Sequence, residues 1–302
     1  ICTREERRTK MTRQITTVVA ARYPVGECPT WDERRGWLLW TSITEGTIHA
    51  LDPQSGARHE WRFNSSVGAF GLCDSGRFVV ALKDSVIVFD PETGDIEPLA
   101  QIEHPIEKMR LNDGKVGPDG AFWIGSLDDR PSKEPIAALY RVSADGKVST
   151  ITDGLKVSNG LAWSVDGKTM YHSDSRGPWI DAWDFDLADG AASNRRRIAE
   201  PDDATGRPDG GATDLENHYW SAGPSGSRVN RFAPDGSLVD YVDVPTLRPT
   251  MPCFGGADMK TVYVTSLSEN VSAELLAQHP LCGSIVSFRS DVAGVPVTRF
   301  PA

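Results

Sequence analysis

Val86-Ile87-Val88-Phe89-Asp90-Pro91-Glu92-Thr93-Gly94 decides how this chain is read. Four β-branched or aromatic residues run into a turn built on Asp, Pro and Gly, which is a strand followed by a reversal. The same unit stands upstream as Ile48-His49-Ala50-Leu51 before Asp52-Pro53-Gln54-Ser55-Gly56. Downstream it returns at Ala138-Leu139-Tyr140-Arg141-Val142, Ala182-Trp183-Asp184-Phe185, Val229-Asn230-Arg231-Phe232 and Ile285-Val286-Ser287-Phe288. The glycines that close the six turns (Gly56, Gly94, Gly146, Gly190, Gly236 and Gly294) are 38 to 58 residues apart. Each unit also carries an earlier apolar strand, such as Leu38-Leu39-Trp40, Phe122-Trp123-Ile124 and Tyr219-Trp220, whose large side chains would fill the space between neighbouring units. A period of this length with four short strands per unit predicts an all-β, six-bladed β-propeller with four antiparallel strands per blade. Two β-sandwiches are the alternative, and the even period argues against them.

The run Gln14-Ile15-Thr16-Thr17-Val18-Val19-Ala20 is β-prone and has no unit of its own. It is expected to complete the last blade as the outer strand, closing the ring and hiding the sheet edges. A single domain over 13–302 follows, with 1–12 as a disordered extension and Met11 as a natural start. Only 272–279 reads as a helix.

The 302 residues carry a net charge of −10, which argues against nucleic acid as a partner. No apolar run reaches the length of a membrane span. The first ten residues lack the apolar centre of a signal peptide. Five scattered cysteines with no Cys-x-x-Cys pair give neither a disulfide framework nor a zinc–thiolate site, so a reducing, cytoplasmic setting is expected. No nucleophile elbow, Walker loop or dinucleotide fingerprint is present.

In a propeller the starts of the six innermost strands point at one mouth of the central channel. Those starts contain Glu27, Asn112, Asn159 and Asp209. Singly, each reads as a turn former. Together they bring oxygen donors to one place, the chemistry of a hard divalent cation such as Ca²⁺, Mg²⁺ or Mn²⁺, with Zn²⁺ or Fe²⁺ open for a catalytic role.

Here the residues resemble the gluconolactonase/regucalcin (senescence marker protein) family of six-bladed propellers, and among them bacterial sugar-acid lactonases. The matching segments are Gly26-Glu27-x-Pro29-x-Trp31, Arg110-x-Asn112-Asp113-Gly114-Lys115, Ser158-Asn159-Gly160-Leu161-Ala162-Trp163, Pro208-Asp209-Gly210 and Pro252-Cys253-Phe254-Gly255-Gly256. The resemblance implies one divalent metal held by Glu27, Asn159 and Asp209, with Arg110 and Asn112 facing the substrate. Asp128 or Asp129 would supply a further acidic contact. It implies hydrolysis of an aldono-1,4- or 1,5-lactone to the aldonic acid; Asp209 is the candidate base, since a ligand carboxylate can keep one oxygen free, and Asp128 or Asp129 is the alternative. A phosphotriesterase or broader lactonase on the same scaffold is the alternative, and a non-enzymatic calcium-binding propeller is another. The expected partner is a small sugar lactone, with neither nucleic acid nor membrane, on a monomer or small homo-oligomer. Cys28 stands where the family usually has Gly, beside Glu27, a ligand by the same resemblance. His172 is expected to be an inner-strand histidine bonded to backbone, and Asp174 to orient a ligand.

Overall fold

The computed structural model describes residues 13–302, so the extension expected over 1–12 lies outside the described residues. Six four-stranded antiparallel sheets follow one another along the chain. Their innermost strands are Gly26–Asp32, Ala69–Leu72, Met109–Val116, Ser158–Trp163, Gly211–Thr213 and Pro249–Gly255. The last sheet is completed from the other end of the chain: Thr16–Val19 pairs with Ile285–Arg289, with Thr16 opposite Ser287. The ring closes as the β-prone N-terminal run predicts, with Thr16–Val19 as the outer strand of the last blade.

The large side chains sit between blades. Trp123 of the third blade meets Trp163 and Phe185 of the fourth at centroid distances of 5.9 and 5.5 Å. Tyr171 stacks on Tyr219 of the next blade at 4.9 Å. Trp31 stacks on Tyr263 at 5.8 Å, across the junction of the first and last blades. The α-helix Ala273–Gln278 falls inside the expected span and is capped by Ser272, whose Oγ accepts from Leu275 N.

The tail differs from expectation. Residues 289–294 read as a sixth strand-ending turn, yet no strand follows, because Thr16–Val19 already holds the outer position. The chain instead bonds to the fifth blade (Val295 N to Thr213 O, 2.9 Å). It then reaches the second (Phe300 N to Leu72 O, 2.8 Å) and the first (Arg299 Nη2 to Asp32 Oδ1, 2.6 Å). It thereby crosses one end of the channel.

Four innermost strands break register where they matter. The shifts lie between Glu27 and Thr30, Leu111 and Gly114, Asn159 and Ala162, and Pro249 and Pro252. A β-bulge re-aims the side chains around it, and three of these bulges carry predicted site residues. Gly160, in the fourth-blade bulge, has φ +72°, and a Cβ there would lie 2.4 Å from both Ser173 Oγ and Tyr219 Oη. Cys28 takes the left-handed region without being glycine, at φ +48°. That strained conformation is the structural counterpart of the sequence departure.

Candidate functional site

Glu27, Asn112, Asn159 and Asp209 arrive from the first, third, fourth and fifth blades and line one cavity of about 380 Å³ together with Arg110 and Asp129. That is the size of a small-molecule site. Glu27, Asn112 and Asn159 are buried and Asp209 is partly exposed. Arg110 Nη1 donates to Asn112 Oδ1 (2.8 Å), and Asn112 Nδ2 donates to Asn159 Oδ1 (2.9 Å). Asn159 Nδ2 in turn donates to Ser175 Oγ (2.7 Å). This chain of bonds fixes which way each amide faces and leaves Asn159 Oδ1 a free lone pair. Cys28 N donates to Glu27 Oε2 (2.9 Å). Asp209 is fixed through its backbone, Asp209 N to Ala222 O (3.0 Å).

Burial, then the Asp209 and Asp113 charges, hold the Glu27 carboxyl well above its usual range; burial and Asp113 do the same for Asp209. Asp113 is itself raised by burial, and its Oδ1 is buried without a partner. Glu27 and Asp209 thus line the cavity with the buried Asp113 close enough to raise both. A divalent cation fits this donor set, since it removes the mutual repulsion that raises the carboxyls. Among the described residues no group of three or more His, Cys, Asp or Glu side chains is arranged to hold a metal. The set therefore depends on an amide oxygen as its third protein donor.

Some expectations move. Asp128 does not reach the cavity as a substrate contact. Its carboxylate accepts from Arg130 N, Nε and Nη2 and from Glu134 N, and these donors hold it well below the usual range. It builds the loop that follows. The next residue, Asp129, is the one in the cavity wall, exposed, 4.0 Å from Arg110 Nε and 3.9 Å from Lys133 Nζ. Asp174 does not touch Asn159. It accepts from the backbone N–H groups of Lys156, Arg176 and Gly177 and so closes the turn that presents Ser175. The Cys28 thiol lies between Phe70 N and O at 3.4 Å and faces the other end of the channel with Cys253; burial pushes it up to about 12, so it is an inert thiol here.

His172 bonds a side chain, not backbone: its Nε2 lies 2.8 Å from Ser158 Oγ. It is fully buried, and burial with the Arg195 charge pushes it down from 6.5 to about 3. Below pH 6.5 the unfolded chain gains a proton here that the folded chain refuses until about pH 3. Stability is therefore complete above pH 6.5 and falls as the pH drops toward 3. Between pH 6 and pH 4 the parent chain is expected to lose about 1.4 kcal/mol per pH unit more than His172→Gln. Urea melts at each pH check this, and equal slopes refute it.

Ser175, Lys133, Arg176, Arg207 and Arg248 also line the cavity, and sequence reasoning missed all five. Ser175 had a weak signal, one residue beyond Asp174 at the end of the hairpin. The four cations had none, since each sits in a different loop.

Residues 25–268 match the family model described as the SMP-30/Gluconolactonase/LRE-like region. The chain is 39% identical over 285 residues to a 6-deoxy-6-sulfogluconolactonase of Pseudomonas putida, covering 94% of this chain and 97% of that one. It is 32% identical over 293 residues to regucalcin of Xenopus laevis, covering 95% and 98%. Among solved structures it superposes on a calcium-binding protein, regucalcin, of Agrobacterium tumefaciens with a TM-score of 0.92 at 25% identity, covering 97% and 99%. With the propeller, the channel-mouth residues and a match over most of its length, the chain belongs to the SMP-30/gluconolactonase/LRE-like family.

Proposed function

We propose that this protein is a metal-dependent sugar lactonase that opens an aldono-1,4- or 1,5-lactone to the aldonic acid. The observation that carries the proposal is the convergence of Glu27, Asn159 and Asp209 from three blades on one cavity beside Arg110. The relatives named as lactonases support the reaction class, and those named regucalcin support the divalent cation.

Glu27, Asn159 and Asp209 would hold the ion, which when bound supplies Lewis acidity at the lactone carbonyl. The remaining work falls to the chain. Asp209 is the partly exposed carboxylate of the set, so it accepts the proton as water adds to the carbonyl carbon. The ring C–O bond then breaks, and the same proton passes to the departing ring oxygen. Arg110 offers its remaining N–H groups to the substrate, since Nη1 is spent on Asn112 and the Leu111 carbonyl. Asp129 is an exposed acceptor for sugar hydroxyls. Asn112 spends both functions of its amide on Arg110 and on Asn159 with the Ser158 carbonyl, so it positions a ligand more than it touches substrate.

Removal of divalent ions by a chelator is expected to abolish hydrolysis of glucono-1,5-lactone above the spontaneous rate, and added Ca²⁺, Mn²⁺, Mg²⁺ or Zn²⁺ to restore it. Acid release followed with a pH indicator measures this. Full activity in metal-free protein refutes the metal role. The description of one solved neighbour as calcium-binding favours a second reading, cation binding without turnover. Calcium binding by calorimetry with no lactone hydrolysed under any metal selects it.

A further inference from the structure

Beside the cavity of Glu27 and Asp209 lies a recess lined by Lys133, Lys156, Arg176 and Arg207, with Asp203 as the acid among the described residues. Lys133, Arg176 and Arg207 line both spaces, so the two are continuous. In a chain of net charge −10, four cations in one depression are out of keeping with the rest of the molecule.

The cations are not used up by internal pairing. The guanidinium of Arg176 and the ammonium of Lys156 make no hydrogen bond or ion pair among the described residues. Lys133 Nζ donates to the Asp128 carbonyl (2.7 Å) and has the exposed Asp129 carboxylate at 3.9 Å, a long, screened pair that leaves its other protons free. Arg207 pairs with Asp203 at 2.9 Å, but that carboxylate is largely exposed and screened. The loop itself is built to present this group. Asp128 locks it through Arg130 and Glu134, and Lys133 is held at φ +52°, a costly conformation for a side-chain-bearing residue. Burial pushes the Lys133 ammonium down, the Asp129 charge opposes this, and repulsion from Arg110 and Arg176 adds to it. The like charges therefore crowd one another, and an anion would relieve them.

We infer that the lactone carries a strong oxyanion, a sulfonate or a phosphate, on the arm outside the reacting ring, and that Arg176, Lys156 and Lys133 bind it. This rests on the lactonase reading and names its substrate class. Arg176 can grip two oxygens of a tetrahedral oxyanion at once, while the lysines act as point charges. The recess lies to one side of Glu27 and Asp209, so the anion is held away from their charge while the ring carbonyl reaches them. A local positive rim on an acidic protein also steers an anionic substrate to the correct mouth.

The test compares kcat/KM of the metal-loaded protein on glucono-1,5-lactone with that on its 6-phospho and 6-sulfo counterparts. An anionic lactone is expected to lead by about tenfold or more at low salt, with the lead shrinking as ionic strength rises. The better of the two identifies the oxyanion. Arg176→Gln and Lys156→Gln are each expected to lower the anionic-to-neutral ratio about tenfold, the cost of one charged hydrogen bond. Calorimetry with the metal-loaded protein adds a readout that needs no turnover: 6-phosphogluconate or 6-sulfogluconate is expected to bind more tightly than gluconate. The inference is overturned if the neutral lactone is hydrolysed as well as both charged ones, if the variants scale all substrates alike, or if neither charged acid outbinds gluconate. The lactonase reading is judged separately, by the neutral lactone: its hydrolysis without any anionic preference sinks this inference alone.

Discussion

Asp209→Asn is expected to lower kcat/KM on a sugar lactone by about 10³-fold, within the range for loss of a positioned general base. The substitution keeps the shape of the side chain and one oxygen at the channel mouth. The backbone bond from Asp209 N to Ala222 O is also untouched. What disappears is the proton acceptor and one of the negative charges around Glu27. The effect should therefore fall mainly on kcat, with weakened metal affinity as a second loss. Metal analysis of the purified variant separates the two. Asp209→Ala removes the oxygen as well and is expected to lose the ion. Because burial and neighbouring acids hold Asp209 high, its removal also relieves repulsion in the metal-free protein. The metal-free Asn variant should melt no lower than the metal-free parent, a trade of stability against function common at active sites. A variant retaining more than a tenth of the parental kcat with metal bound moves the base elsewhere, with Asp129 next in line.

The largest stability effect is expected at Asp214, far from that chemistry. Its fully buried carboxylate accepts from Trp220 Nε1 (2.8 Å), Arg231 Nε (2.8 Å), Glu216 N (2.9 Å) and His218 N (3.0 Å). Arg231 Nη2 adds an ion pair at 2.7 Å. Asp214→Ala leaves the buried Trp220 indole N–H and the Glu216 and His218 backbone N–H groups without their acceptor, and Arg231 with Glu216 as its remaining carboxylate partner, a loss of about 2–4 kcal/mol. Asp214→Asn keeps one acceptor oxygen and should recover part of it. Urea midpoints at unchanged m measure both. A loss under about 1 kcal/mol would place the network among the weak surface pairs. The arrangement recurs: Asp119 bonds Trp123 and Arg141, and Asp258 bonds Arg289. A turn aspartate gripping an arginine from the third strand is thus a repeated fastening of the blades.

That fastening was visible in outline. Arg141, Arg231 and Arg289 stand in or beside the strands used to find the repeat, and Asp119 and Asp214 stand near the turns before the aromatic strands. Only the pairing across the blade was missing. The same division runs through the site. Glu27, Asn112, Asn159 and Asp209 could be found because each lies in the first half of an innermost strand or just before it, and a repeat makes equivalent positions converge. Asp128 and Asp129 could not be told apart. They are consecutive residues at the end of the strand Phe122–Asp128, and a strand sends neighbours to opposite sides. One aims inward at Arg130, and the other faces the cavity.

The sequence by itself determined the strand content, the sixfold repeat, the closure by Thr16–Val19 and the four oxygen-bearing positions at the channel mouth. Each of these is written in a few adjacent residues, where β-propensity and turn chemistry act locally. The tertiary structure alone decided where those residues aim. The bulges that turn Glu27, Asn112 and Asn159, the strained Cys28, the tail across the channel and the recess of Lys133, Lys156, Arg176 and Arg207 all depend on closure of the ring. Closure brings together loops dozens of residues apart, and no short-range pattern records which side chains then meet.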